Sequence, residues 1–260
     1  MAASLGSLDA GALDALRDRL RSEVDEGRLP SCQFALARDN EVIVSETFGA
    51  AVADSRYVMF SATKAVVASA VWMLISEGLL DVSRRVVELV PSFGSNGKDV
   101  VTVEQVMLHT SGFPHAPFNA LEWDDSDRRH ARFAQWRLNW EPGTRYEYHP
   151  TSAHWVLAEL IEQIAGADFR TFIRERVLEP LGLQRLRIGV PPAEQGDVNM
   201  LVATGEPATR DELLKAIGIP EIPLTEVTEE ALLAFNQPAM RTVGVPGGGG
   251  ITSAADMARF

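Results

Sequence analysis

Hydrophobic residues recur at helical spacing in many stretches of this 260-residue sequence. An apolar stripe repeated every three or four residues is typical of a helix that packs one face against a core. The pattern over 152–165 is strong, and Gly166 follows it as a stop signal. The pattern predicts helices over 8–27, 61–77, 86–90, 102–108, 128–138, 152–165, 169–177, 210–217 and 228–235, with a further helix starting near 252.

Two runs near the N-terminus have the composition of strands instead. Residues 42–48 are rich in β-branched and aromatic side chains, and residues 33–37 form a short, mostly apolar run. Asp39 and Asn40 stand between them, and both residue types favour tight turns. The sequence therefore predicts a β-hairpin.

Ser61 and Lys64 lie three residues apart at the start of the apolar stretch 61–77. On a helix this spacing places both side chains on one face. A serine becomes a nucleophile when a base takes its proton, and a lysine can be that base where burial disfavours its charged form. The S-x-x-K tetrapeptide alone favours the plainer interpretation, a helix that Ser61 caps and from which Lys64 points into water, so the rest of the chain must decide.

A serine and lysine of this kind also need a group that passes the proton to the leaving group. A tyrosine suits this role when a nearby cation lowers its pKa. Tyr57 lies just upstream of the serine, while Tyr146 and Tyr148 lie in the loop 142–150 before a strong helix. A loop held between helices can present a side chain to a site, although a half-buried structural role is the alternative for each tyrosine.

Five motifs together resemble the serine β-lactamase-like superfamily, in the branch of class C β-lactamases, D-alanyl-D-alanine peptidases and related esterases. They occur in the family's order and approximate spacing at residues 60–64 (FSATK), 108–112 (LHTSG), 142–148 (PGTRYEY), 181–183 (LGL) and 248–260 (GGGITSAADMARF). The resemblance implies that Ser61 is the nucleophile, Lys64 its base partner and Tyr148 the tyrosine of the family's Tyr-x-Asn motif.

Two positions next to Tyr148 depart from that motif. Pro150 occupies the asparagine position and has no side-chain donor for a substrate carbonyl. His149 replaces a small residue, and it is either a second polar group in the site or a loop residue. His109 is expected to be structural, as part of a polar turn that ties a helix end to its neighbours.

Two stretches near the C-terminus carry further expectations. The glycine run 247–250 lacks the Lys-Ser/Thr of a phosphate-binding loop, so we expect a flexible approach to a strand. The family's third motif, Lys-Thr-Gly or His-x-Gly on a strand that supplies an oxyanion-hole donor, does not occur in the sequence. The resemblance therefore implies that further strands, from the same gene or from another chain, are needed to complete the fold.

The implied fold is α/β plus α, with a helix-flanked antiparallel sheet, incomplete in this chain, packed against a mostly helical domain. The expected division assigns 1–60 to the sheet domain and 61–200 to the helical domain with the nucleophile helix and the tyrosine loop. Residues 201–246 form an excursion over the pocket, and residues 247–260 return towards the sheet domain.

Composition narrows the possible partners. The formal charge of −12 argues against nucleic acid and anionic membrane surfaces, and no apolar run approaches the length of a membrane span. Cys32 is the single cysteine, so no intrachain disulfide is possible. Residues 1–6 lack the features of a secretory signal, which predicts a cytoplasmic protein if the chain starts at its native methionine. No cofactor or metal is implied, and the expected partner is a small-molecule ester or amide.

Three functions remain open on the sequence. The first is an esterase that acts through a covalent acyl-enzyme on small carboxylic esters. The second is a β-lactamase or D-amino-acid peptidase, which Pro150 and the missing signal weaken. The third is a non-catalytic binding or sensor module of the penicillin-recognising type, which the absent third motif favours.

Overall fold

The computed structural model describes residues 8–206, 208–220 and 228–260. The N-terminal segment 1–6 and parts of the predicted excursion 201–246 (207 and 221–227) lie outside the described residues. The α-helices are α1 Ala10–Asp25, α2 Thr63–Ser76, α3 Val103–Met107, α4 Ser126–Gln135, α5 Ser152–Ala165, α6 Phe169–Ile173, α7 Arg210–Ile217, α8 Glu229–Leu233, α9 Pro238–Val243 and α10 Ala254–Arg259. The strands are β1 Ser31–Arg38, β2 Glu41–Gly49, β3 Tyr57–Val58, β4 Arg187–Ile188 and β5 Gly250–Thr252.

The predicted hairpin is present as β1 and β2, which pair antiparallel from Ser31 opposite Gly49. Asp39 and Asn40 have φ angles of 53° and 64°, the left-handed values that a two-residue hairpin turn of type I′ requires. Helix α1 lies against β2, where Arg17 forms an ion pair with Glu46. Helix α10 packs on both strands. The hairpin thus lies between the first and the last helix of the described chain.

The main hydrophobic core lies among the helices. Helix α2 buries the face that carries Val66, Val67, Ala70, Val71 and Leu74, and that face packs against α5. Helix α5 is buried along ten successive residues, 152–161. Complete burial of each large apolar side chain contributes about 1.5–3 kcal/mol to folding. The apolar periodicity of the α2 and α5 sequences therefore predicted their place in the core correctly.

A second sheet, of three strands, connects segments of the chain that lie next to one another at the start of α2. Its strand order is β3-β5-β4, and both pairings are antiparallel. The backbone N–H of Gly250 donates to Thr63 Oγ1 at 2.9 Å, which ties β5 to the start of α2. A Cβ at position 250 would lie 2.5 Å from Met59 Cε. The glycine run is buried, so its glycines serve close backbone approach and not the flexibility expected from the sequence.

Several predicted helices differ in type or length. The stretch 86–90 forms only a 3₁₀ turn, Val86–Glu88. Helix α4 begins earlier than predicted because Asp125 caps it, and it ends at Gln135 because Trp136 turns into an extended conformation. The Trp136 carbonyl there accepts a hydrogen bond from the buried amine of Lys98. The stretch 169–177 splits into α6 and a π-helical segment, Arg174–Leu178, for which the structure offers no evident cause.

The other short elements agree better with the pattern. Thr102 and Gln105 form the reciprocal capping box predicted before α3. Ser253 caps α10 through the N–H of Asp256. No helix in the described ranges is both long and apolar enough to cross a bilayer. The α/β-plus-α fold expected from the sequence is confirmed, whereas its division at residues 60, 200 and 246 stays a prediction.

Candidate active site

Ser61 lies at an exposed turn where β3 gives way to α2. The 3₁₀ turn Phe60–Ala62 leads directly into the helix. Phe60 has a φ of 45°, an unfavourable value for a bulky residue that costs of order 1–3 kcal/mol. Its ring packs edge-to-face against Phe235 at 5.7 Å. Packing thus helps to hold the residue before the serine in a strained conformation.

The structure brings Lys64 to Ser61 as the helical spacing predicted. Lys64 Nζ lies 3.3 Å from Ser61 Oγ and also donates to the carbonyl of Gly247. The Lys64 side chain is only half-buried, so its burial is less complete than we expected from the sequence. The contact with Gly247 was not predicted, although a glycine run that lets two backbones approach was visible in the sequence.

Tyr148 reaches the same serine from the loop before α5. Its phenol oxygen lies 2.8 Å from Ser61 Oγ, and Lys64 Nζ lies 5.1 Å from the centre of its ring. Burial alone raises the pKa of Tyr148, but the hydrogen bonds to Lys64 and Ser61 and the charge of Lys64 outweigh it. The pKa of this phenol therefore lies below its usual value of 10. Tyr57, the upstream tyrosine, instead hydrogen-bonds Ser31 and takes no part in this cluster.

His109 holds the tyrosine loop in place. Its Nδ1 accepts a hydrogen bond from the backbone N–H of His149, and its carbonyl accepts one from the N–H of Glu147. Its ring lies 5.1 Å from the ring of Tyr148. Burial, and then the charge of Lys64, lower the pKa of His109, which keeps the ring neutral. The structural role expected for this histidine agrees with these contacts.

His149 points away from Ser61 and into the interior. Its Nδ1 contacts the carbonyl of Glu147 at 2.6 Å, while its Nε2 accepts from the backbone N–H of Phe113 and contacts Ser111 Oγ at 3.0 Å. Complete burial lowers the pKa of His149 to about 4. Of the two roles left open by the sequence, the structure supports the loop residue.

An apolar pocket opens beside Ser61 and is bordered by Pro150. Its volume is about 360 Å³. Pro150 and Thr151 form one wall, and the glycines at 247 and 248 form part of another. From the sequence we singled out Ser61 and Pro150 and expected 201–246 to cover a pocket, but we named no lining residue within 231–245, which showed only short helical patterns with no chemical signature. No cluster of His, Cys, Asp and Glu suited to a metal ion occurs within the described part of the chain.

This fold, with a serine, a lysine and a tyrosine gathered at one point, is that of the serine hydrolases with an S-x-x-K motif. The chain belongs to the Beta-lactamase family, whose model matches residues 16–260. The resemblance stated from the five motifs is thereby confirmed.

Relatives of known name include both esterases and penicillin-binding proteins. The "Esterase/beta-lactamase LipL" of Mycobacterium tuberculosis is 34% identical over 145 residues, which are 55% of this chain and 33% of that protein. A penicillin-binding protein homologue from Caulobacter crescentus has a TM-score of 0.74 at 27% identity, covering 95% of this chain and 67% of the other. A family VIII carboxylesterase has a TM-score of 0.75 at 28% identity, covering 95% and 68%. The chain spans less than half the length of the curated relatives it matches.

Proposed function

We propose that this chain carries the active site of a serine hydrolase that cleaves small carboxylic esters through a covalent acyl-enzyme. The observation that carries the proposal is the position of Ser61 Oγ, 3.3 Å from the Lys64 amine and 2.8 Å from the Tyr148 phenol. Both distances lie within or close to the reach of direct proton transfer. The names of LipL and of the carboxylesterase neighbour support an ester as the substrate.

The reaction has two acyl-transfer steps. Ser61 Oγ forms a bond to the carbonyl carbon while its proton passes to the Lys64–Tyr148 pair. The ester C–O bond then breaks, and the pair returns the proton to the leaving alkoxide. In the second step water gives a proton to the same pair and its oxygen bonds to the acyl carbon. The bond from that carbon to Ser61 Oγ then breaks, the acid leaves, and the pair returns the proton to Ser61 Oγ.

Negative charge on the carbonyl oxygen needs donors that face it. The family resemblance assigns the backbone N–H of Ser61 as one donor and a strand outside this sequence as the other. We propose that this strand comes from a further part of the same gene or from a second chain. Because one missing donor costs about 10²–10³ in rate, we expect residues 1–260 alone to be slow.

A β-lactamase or peptidase activity is the second candidate. A D-alanyl-D-alanine carboxypeptidase name occurs among the relatives. Pro150 weighs against it because proline cannot donate a hydrogen bond to the acylamino group of a lactam or peptide, and such donors discriminate strongly. We expect kcat/KM for a short ester to exceed that for the chromogenic β-lactam nitrocefin.

The proposal is tested by labelling with a fluorophosphonate. The protein used is the full-length protein, that is, this chain together with the strands that we propose to complete it. We expect covalent modification of Ser61, and loss of labelling and of p-nitrophenyl acetate hydrolysis in Ser61→Ala by about 10⁴-fold or more. Ser76→Ala is the matched control, since Ser76 ends the helix that follows Ser61 and its hydroxyl donates locally to the Met73 carbonyl. Labelling that persists in Ser61→Ala contradicts the proposal, and acylation without turnover favours the sensor module. The cytoplasmic location stays a prediction.

A further inference from the structure

Residues from two segments, 115–117 and 132–139, line a second cavity, which we call the basic pocket. Its volume is about 360 Å³, within the range of small-molecule sites. Its ionisable lining residues are all of the basic type, His115, Arg132 and Arg137, and no aspartate or glutamate lines it within the described ranges. This lining therefore favours a ligand with a negative charge.

Within the described chain, Arg137 is the one cation of this lining that has no protein partner. His115 Nε2 lies 3.0 Å from a carboxylate oxygen of Glu147, and the Arg132 guanidinium lies 3.1 Å from Glu122. Arg137 is exposed and lies just after the end of α4. Since partners already engage the other two side chains, one uncompensated positive charge remains at the basic pocket.

Lys98 adds a second positive charge near Arg137. Its side chain is completely buried, and its amine donates to the carbonyls of Ser95 and Trp136 at 2.6 and 2.5 Å. No carboxylate forms an ion pair with this amine among the residues that the structure describes. Burial, and then the charge of Arg137, lower the pKa of Lys98 to about 8, so the amine is still mostly charged at neutral pH. The two cations repel each other, and an anion bound at Arg137 relieves that repulsion.

The backbone on both sides of Arg137 is held by hydrogen bonds. The indole N–H of Trp136 donates to the carbonyl of Pro117 at 2.8 Å, which ties the two segments of the lining together. The backbone N–H of Asn139 donates to the carbonyl of Gly112 at 2.6 Å. The walls of the basic pocket are therefore formed before a ligand arrives, which lowers the cost of ordering them on binding.

We propose that the basic pocket binds a small organic monocarboxylate, with its carboxylate on Arg137 and its apolar body against Trp136 and Pro117. A guanidinium group offers two parallel N–H donors to a carboxylate, and the side-chain amides of Gln135 and Asn139 line the same cavity. A monoanion matches the one uncompensated charge of the lining, whereas a phosphate dianion would need a second such cation there.

The indole N–H signals of two tryptophans test the proposal in NMR spectra of the full-length protein, because each reports on a different cavity. Trp136 lines the basic pocket, and Trp155 lines the apolar pocket beside Ser61. Trp136→Phe and Trp155→Phe assign the two signals. Benzoate is the probe, and benzamide is its uncharged isostere. We expect benzoate to shift the Trp136 signal in a saturable titration, and benzamide to bind about tenfold more weakly or worse because it lacks the charge.

Substitution of Arg137 tests which cation holds the carboxylate. Arg137→Met keeps much of the apolar length and removes the charge, so the affinity for benzoate should fall about tenfold or more. Arg137→Lys keeps the charge but loses the planar pair of donors, and its affinity should lie between the two. Arg128→Met is the matched control, since Arg128 is exposed in α4 and does not line the basic pocket. It should bind benzoate like the wild type.

Three results would overturn the proposal. Absence of a saturable Trp136 shift, including a benzoate shift confined to Trp155, would show that the basic pocket does not take a carboxylate. Equal affinity for benzoate and benzamide, or an unchanged affinity in Arg137→Met, would show that Arg137 does not bind the anion. Inorganic phosphate that binds at Trp136 more tightly than benzoate would replace the carboxylate by a phosphate as the ligand. None of these measurements needs turnover of an ester, so their outcome is independent of the proposed hydrolase function.

Discussion

The helices around the site and the N-terminal hairpin differ sharply in burial. Helix α5 is buried over ten successive residues, and α2 buries six of its fourteen. Helix α1 has no buried residue, and every residue of β1 is only half-buried. In β2, Val44 is the one fully buried position. One part of the molecule thus has a complete core, and the other has two strands between two surface helices.

The side chains of the candidate active site belong to the well-packed part. Ser61 and Lys64 stand at the start of α2, and Tyr148 is held by His109 in the loop that precedes α5. The hairpin contributes no side chain to this cluster among the described residues, although it supports α10 through the contact of Gln33 with Ala254. The proposed nucleophile and its proposed proton relay are therefore held in place by the helices, while the hairpin leaves room for the strands that we propose to complete it.

The largest expected effect concerns the proton relay in the helical part. If Lys64 and Tyr148 move one proton together, Lys64→Ala and Tyr148→Phe should each slow acylation by about 10²–10⁴-fold. The double variant should be little slower than the slower single variant, because members of one relay are not additive. Single-turnover acylation with p-nitrophenyl acetate measures this step.

Tyr146→Phe is the control for the tyrosine, since Tyr146 lies two residues away and is 67% exposed. Its acylation rate should match the wild type. Fully additive losses in the double variant would mean that Tyr148 acts structurally. Lys64→Ala should also raise the pKa of Tyr148 towards its usual value, which tyrosinate absorbance reports by comparison with Tyr148→Phe.

Hydrogen exchange tests the contrast between the two parts directly. In residues 1–260 expressed alone, amides of β1 and β2 should exchange through local opening, whereas those of α2 and α5 should need opening close to global unfolding. The two classes should differ by about 5 kcal/mol in opening free energy. In the full-length protein the hairpin should gain protection, and equal protection in both settings would show that no further strands cover it.

Acid should weaken the helical part first. All five histidines lie between 109 and 154, and burial lowers the pKa of His149 to about 4 and that of His154 to about 3. An unfolded histidine binds its proton near pH 6.5, so below that pH protonation favours the unfolded state until the folded pKa is reached. His149 alone should thus cost about 3 kcal/mol between pH 6.5 and 4.

Tryptophan fluorescence can follow this loss, because all five tryptophans lie between 72 and 155. His149→Asn should be less stable at neutral pH but should lose stability less steeply as the pH falls. A variant with the same slope as the wild type would show that another group controls the acid transition.

The sequence predicted the overall fold and the proximity of the candidate site residues, whose catalytic roles stay a prediction. The three-residue spacing of Ser61 and Lys64 has one geometric outcome on a helix, so local physics placed them. Tyr148 came from the resemblance, because 87 residues separate it from Ser61 and only the fold brings the two together. The hairpin turn was readable since Asp39 and Asn40 tolerate left-handed backbone.

What the sequence did not predict depends on contacts between distant segments. From the sequence we expected 201–246 to lie over a pocket, but no local pattern specifies which residues of 231–245 line it together with Trp155. The burial of His149 follows from partners at 111 and 113, which residue type alone does not indicate. The close packing of the glycine run 247–250 likewise depends on contacts with distant segments of the chain.

The smallest expected effect concerns Gly250, which lies where the helical part is connected to the hairpin. Strand β5 reaches the start of α2 at this residue and continues into α10, which packs on the hairpin. A methyl group there would lie 2.5 Å from Met59 Cε and 2.8 Å from Thr63 Oγ1, so one of these atoms must shift. We expect Gly250→Ala to cost about 1–3 kcal/mol in unfolding free energy by denaturant titration, as overpacking does.

Gly196→Ala is the control, because a Cβ at position 196 meets no atom within 4 Å. Since Thr63 adjoins Lys64, the Gly250→Ala protein should also acylate more slowly in proportion to the displacement of α2. A Gly250→Ala protein as stable as Gly196→Ala would mean that the join yields without strain and that the helical part does not depend on its contact with β5.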